Sequence, residues 1–211
     1  MFDAIYRDAR VRLSALARTL TDDQLATVTP GCPEWTVRDV YAHVSGGAGS
    51  PEWTARQVAE RRGVGLDAVL DEWAAASPTV EAGIAARQVS IRMVFDLLTH
   101  EADVYETLDL GRPDATGWGA IAPVLAKGWA KSFAGPGTLA VHVAGETYQG
   151  GAGDPVIELR ADPYELFRGA ISRRSRAQML GWEWTGDAAG LIDRLPVFGP
   201  REDDQPVPAS K

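Results

Sequence analysis

The spacing of apolar residues changes once along this chain, near residue 134, and that change limits the folds open to it. Before it, apolar side chains recur every three to four residues, the period of a helix with one buried face; after it, they recur every second residue, the period of a strand. Over residues 2–20, Ile5, Ala9, Leu13, Leu16 and Leu20 fall at helical spacing and predict a first helix. Thr36 and Asp39 then form a T-x-x-D capping box, flanked by Trp35 and Val40 as a hydrophobic staple, and start a second helix at Val37. Its stripe is Val37, Val40, Tyr41 and Val44, with His43 on the margin. Ser50 followed by Pro51 restarts a helix to about Arg62. Two longer helical segments are predicted over 86–108 and 118–133, separated by a turn in which Gly111 and Pro113 stop the first.

From Gly135 onward, Leu139, Val141 and Val143 alternate with Ala140, His142 and Ala144, and "GETYQGGAGDPVIEL" reads as a turn between short strands. Asp162, Pro163 and Glu165 signal another capped helix, and the polar segment "PREDDQPVPASK" is expected to be frayed. The chain is therefore expected to be mainly α, with a helical domain over 1–134 and a smaller α+β domain over 135–211.

The function classes open to it are narrowed by charge. A net charge of -8 argues against a nucleic-acid binder, which needs clustered Lys and Arg to neutralise phosphates. No apolar stretch approaches the ~18 residues of a membrane helix, and the start carries no basic and apolar leader pattern. The single cysteine excludes an internal disulfide. These features lead us to expect a cytoplasmic protein, monomer or homodimer, acting on small molecules. The bias to Ala, Gly, Arg and Asp over Lys points to a high-GC genome.

Three histidines occur in all, so their positions carry information. In "MVFDLLTHEADVYETL", Met93, Val94, Leu97, Leu98, Val104 and Leu108 form an apolar face. At roughly 100° per residue, Asp96, His100 and Asp103 lie within about 60° of one another along its edge. A carboxylate and an imidazole four residues apart on one helix can converge on a cation, and His43 from the second helix would complete a tripod with an open fourth position. The same spacing also serves a simple Asp–His helix pair or a hydrogen-bonded packing histidine. Cys32 is read as a small packing residue, with a ligand or nucleophile role as the alternative, and His142 as structural. Arg168, Arg173, Arg174 and Arg176 crowd nine residues of an acidic chain. Guanidinium forks suit the carboxylates of a substrate or thiol, and Arg174 with Arg173 are the candidates; such clusters also form solvated, dipole-complementing helix ends.

"CPEWTVRDVYAHVSG" and "FDLLTHEADVYETL" resemble the two signature segments of the actinobacterial mycothiol-dependent maleylpyruvate isomerase family, a branch of the DinB-like metalloproteins. "ELFRGAISRRSRAQMLGWEWTGD" is similar to that family's carboxy-terminal extension. The resemblance implies a DinB-like four-helix bundle with one divalent metal, usually zinc, held by a His on the second helix and an acid-x-x-x-His pair on the third. These map onto His43, Asp96 and His100. Asp96 stands where the best-known members carry Glu, one methylene longer. Asp103 would orient an imidazole from behind. The thiol cosubstrate implied is mycothiol, activated as thiolate for attack on a small electrophile, with a transferase favoured over isomerase proper. A metal-binding bundle without catalysis is the alternative.

Overall fold

The computed structural model describes residues 1–209. It is mainly α with a smaller α+β part, and it divides into two compact units, Met1–Pro113 with residues 206–209, and Asp114–Gln205.

The first unit begins with α1 (Phe2–Ala17), which buries Tyr6, Ala9 and Leu13. A capped turn, α2 (Asp22–Ala26), leads to a short antiparallel hairpin of β1 (Val28–Thr29) and β2 (Cys32–Thr36). Then follow α3 (Val37–Gly46), α4 (Pro51–Arg61), α5 (Leu66–Ala85) and α6 (Arg92–Thr107). α1 packs on α5 and α6, and α3 packs on the same two, closing a ring of four helices; α4 lies against α3. The ring is filled by Leu13, Val40, Tyr41, Val69, Leu70, Trp73, Val94, Leu97 and Leu98, all at most 2% exposed. Burial of one such side chain contributes roughly 1.5–3 kcal/mol. A partly buried ion pair crosses from α1 to α6, where Arg12 Nε and Nη2 donate to the two oxygens of Glu101 at 2.8 and 3.1 Å.

The second unit holds α7 (Ala115–Ser132), β3 (Gly137–Val143), β4 (Glu146–Ala152), β5 (Val156–Arg160), α8 (Pro163–Ala170), α9 (Arg176–Leu180), β6 (Glu183–Thr185) and α10 (Ala189–Ile192). Its sheet has the order β4-β3-β5-β6, with β3 and β5 parallel and both edge pairs antiparallel. α7 packs on β3, β4 and α8. Gly150 permits this: a Cβ there would stand 1.6 Å from the Ala130 carbonyl oxygen of α7.

Several expectations are corrected. The division falls at Pro113 and Asp114 instead of 134, because α7 covers the sheet of the second unit. The fourth helix of the ring is α5, which the sequence reading left unassigned; it runs through Pro78, and Ser77 Oγ donates to the Trp73 carbonyl at 2.6 Å in the turn before it. α6 starts at Arg92, not near 86, since Arg87 takes a left-handed φ of 58° after α5 ends. The tail is held through Gln205: Ser175 Oγ donates to Asp204, and Gln178 exchanges hydrogen bonds with the backbone of Gln205.

Candidate metal centre

The second start signal behaves as its residue types require. Thr36 Oγ1 accepts from Asp39 N at 3.2 Å and Asp39 Oδ2 accepts from Thr36 N at 3.1 Å, closing the capping box of α3. Asp39 also receives Arg62 Nε and Nη2 at 2.9 and 3.1 Å. Burial pushes its carboxyl pKa up, but Arg62 and the Thr36 hydrogen bonds outweigh that and hold it below the ordinary value. One turn on, the fixed helix projects His43 toward α6.

There it meets Asp96. His43 Nε2 lies 2.9 Å from Asp96 Oδ2, and His100 Nε2 lies 3.7 Å from Asp96 Oδ1. The two imidazoles stand edge to face, with centroids 4.8 Å apart. One nitrogen from each and one Asp96 oxygen all fall within 4.8 Å of one another. Ligand atoms about 2.0–2.2 Å from a tetrahedral cation are themselves about 3.4 Å apart, so the set fits a cation with small side-chain adjustments. The two histidine side chains are 3% and 6% exposed and Asp96 27%; the set opens on the carboxylate's side.

Behind His100, Asp103 Oδ2 lies 3.0 Å from Nδ1, which leaves Nε2 facing Asp96. This is the carboxylate–imidazole arrangement that fixes ring orientation in metal sites. Burial would push the His100 pKa down; hydrogen bonds to Asp103 and Cys32 and the charges of Asp96 and Asp103 reverse this and push it up to about 10. Burial dominates at His43 and lowers its pKa despite Asp96. His43 Nδ1 is buried without a hydrogen-bond partner among the described residues.

Two further residues join the site, and for Cys32 the sequence had left a ligand role open as the alternative to packing. Cys32 Sγ lies 3.9 Å from Asp103 Oδ2, so Cys32, His100 and Asp103 form a second cluster of potential ligand atoms sharing His100. Trp35, read as half of a staple, lies against both imidazoles, with centroids 4.9 Å from His43 and 5.6 Å from His100. Only recognition of a hairpin directly before the capping box would have found them.

Arg173 and Arg174 lie in the second unit. Arg174 is fully buried, and its Nε and Nη2 donate to the two oxygens of Glu165 at 2.6 and 3.0 Å while Nη1 donates to the Arg173 carbonyl at 2.7 Å. The carboxylate its fork meets is the chain's own, in a pair that ties the turn after α8 back onto that helix. Arg173, 7% exposed, donates Nη1 to the Ile171 carbonyl at 3.3 Å. His142 on β3 pairs through Nδ1 with Thr147 Oγ1 at 2.8 Å, a local contact across the β3–β4 ladder.

Residues 6–105 match the family described as mycothiol maleylpyruvate isomerase N-terminal domain. Two solved structures are similar over 82% of this chain and 88% of their own: the crystal structure of the mycothiol-dependent maleylpyruvate isomerase, at TM-score 0.51 and 15% identity, and that of a histidine-to-alanine mutant, at 0.50 and 14%. At such identity the likeness is one of fold. No curated protein matches by sequence.

Proposed function

We propose that the chain, whose residues 6–105 match the mycothiol maleylpyruvate isomerase N-terminal domain, is a cytoplasmic metal-dependent enzyme that uses mycothiol on a small electrophile, as a thiol transferase or isomerase. The observation that carries this reading is the convergence of His43, Asp96 and His100 within 4.8 Å, with a carboxylate placed behind one imidazole. The ring of α1, α3, α5 and α6 is then the four-helix bundle that such a site requires. A divalent cation bound by these three residues, zinc by the preference for such nitrogen and oxygen donors, supplies a positive centre that favours the deprotonated thiol near neutral pH.

The chain's own groups do the rest. His43 and His100 present Nε2 to the same point, and Asp103 holds the proton on His100 Nδ1 so that this tautomer persists. Asp96 supplies negative charge at the open edge, where thiol and electrophile enter. In a transferase, the thiolate sulfur bonds to an electrophilic carbon and stays, while a leaving group departs from that carbon with the bonding pair or, on a double bond, the displaced π pair takes up a proton. In an isomerase, reversible addition to a carbon–carbon double bond permits rotation before the thiol leaves. Within the second unit, the Arg174 fork is held by Glu165.

The test is metal analysis of the purified protein followed by mycothiol consumption against a panel of electrophiles that includes maleylpyruvate. Stoichiometric metal and thiol-dependent turnover are expected. In the cobalt-loaded protein, mycothiol should add a sulfur-to-cobalt charge-transfer band. A fully loaded protein with no turnover and a cobalt spectrum indifferent to mycothiol would leave a metal-binding bundle without catalysis as the correct account.

A further inference from the structure

Nothing polar fixes the His43 ring on its outer side, because Nδ1 is buried without a partner among the described residues. A ring free to turn about its Cβ–Cγ bond would carry Nε2 away from Asp96. What blocks that turn is the Trp35 indole, inclined 41° to His43 and 41° to His100, which stands against both rings at once while they face each other at 82°. The other support comes from the same strand. Cys32 Sγ–H donates to Asp103 Oδ2 at 3.9 Å, the oxygen that accepts from His100 Nδ1 at 3.0 Å. β2 is itself anchored from β1, where the fully buried Thr29 hydroxyl is shared between the carbonyl oxygens of Cys32, at 3.0 Å, and Trp35, at 3.1 Å.

We propose that β2 is the positioning element of the metal centre: Trp35 clamps both imidazoles in their crossed arrangement, and Cys32 steadies the carboxylate that orients His100. This rests on the reading of His43, Asp96 and His100 as ligands. Neither residue of β2 is a ligand in this account. Groups behind the ligands of a metal site commonly change its affinity 10–100-fold when removed, and a wall that sets ring orientation acts in the same way.

The test needs no substrate. Cobalt(II) affinity is measured by competition with a chelator, and the ligand-field spectrum is recorded, for wild type, Trp35→Ala, Trp35→Phe, Cys32→Ala, Cys32→Ser and Thr29→Val. Trp35→Ala should weaken binding about tenfold or more and alter the spectrum, whereas Trp35→Phe should stay within about threefold of wild type. Cys32→Ala should weaken binding by less than Trp35→Ala, and Cys32→Ser, which keeps a donor, should recover most of it. Thr29→Val, which removes the shared hydroxyl at constant shape, should fall between wild type and Trp35→Ala. Wild-type affinity and spectrum in Trp35→Ala would overturn the proposal; if that variant does not fold, unchanged affinity in both Cys32→Ala and Thr29→Val does so. A sulfur-to-cobalt band in wild type without added thiol, lost in Cys32→Ser, would make Cys32 a ligand and overturn it too. A wild type that takes up no cobalt overturns the reading of the site itself, and this inference with it.

Discussion

His100 has a carboxylate on each side, and the two do different work: Asp103 at 3.0 Å fixes the ring, while Asp96 at 3.7 Å shares its open face. Replacing His43 or His100 by Ala should abolish stoichiometric metal, measured by atomic emission on protein purified without added metal. His142→Ala, whose ring pairs with Thr147, should leave it intact; equal metal in all three variants contradicts the assignment. Asp96→Glu should retain or tighten the metal and Asp96→Asn should weaken it, because the Asn keeps the shape and loses the charge; tighter binding in the Asn variant would remove Asp96 from the ligand set. These three residues were legible in the sequence for a simple reason. The four-residue step from Asp96 to His100 is fixed by the helical period, and His43 sits at the margin of a stripe whose capping box is explicit. Cys32 was legible only as an alternative to packing and Trp35 not at all as a site residue, since strands of two and five residues carry too little periodicity to reveal which way they fold back. The pairing of the buried Arg174 fork with Glu165, nine residues earlier, is likewise one that sequence spacing does not specify.

Among the elements, α5 escaped notice because its Ala-rich stretch and Pro78 mask a stripe that includes Val69, Leu70, Trp73, Ser77 and Ile84. A proline costs an internal helix its hydrogen bond and room in the preceding turn, yet here the buried stripe on both sides outweighs it. Trp73, 1% exposed and donating Nε1 to the Tyr6 hydroxyl at 3.0 Å, makes the test. Trp73→Ala should lower the unfolding free energy by roughly 3–5 kcal/mol in urea denaturation; a loss under about 1 kcal/mol would mean that α5 is not an integral wall of the ring. α3 offers a pH test. The Asp39 carboxyl is held below its ordinary value by Arg62 and Thr36 against the opposing effect of burial, so its contribution is present above the unfolded-state value of about 3.9 and is lost as pH falls through the lower folded value. Asp39→Asn should therefore cost about 1 kcal/mol at neutral pH and flatten the decline of stability below about pH 4. An unchanged acid limb in the variant would show that the pair contributes nothing to α3.

At the scale of the whole molecule, the boundary near residue 134 was misplaced because α7 has the same amphipathic period as the ring helices; period tells that a helix needs a partner, not which one. Its actual partners are strands, and Gly150 at the contact is the sequence trace of that choice. All candidate ligands lie in the first unit. Saturating metal at about 100 times its Kd adds about 2.7 kcal/mol to whatever unfolds with the site. In calorimetry the transition of the first unit should rise with zinc, and that of the second should not follow to the same extent; an equal rise of a single transition would mean that the two units unfold as one. One last feature concerns time instead of affinity. Asp96 is 27% exposed where the two imidazoles are 3% and 6% exposed, so a cation arriving from water at the proposed site would meet the carboxylate first and shed the rest of its hydration only as the buried rings took hold. Loading and stripping would then share one doorway, and a single side chain on one turn of α6 would govern how fast the protein charges and how long it holds its charge.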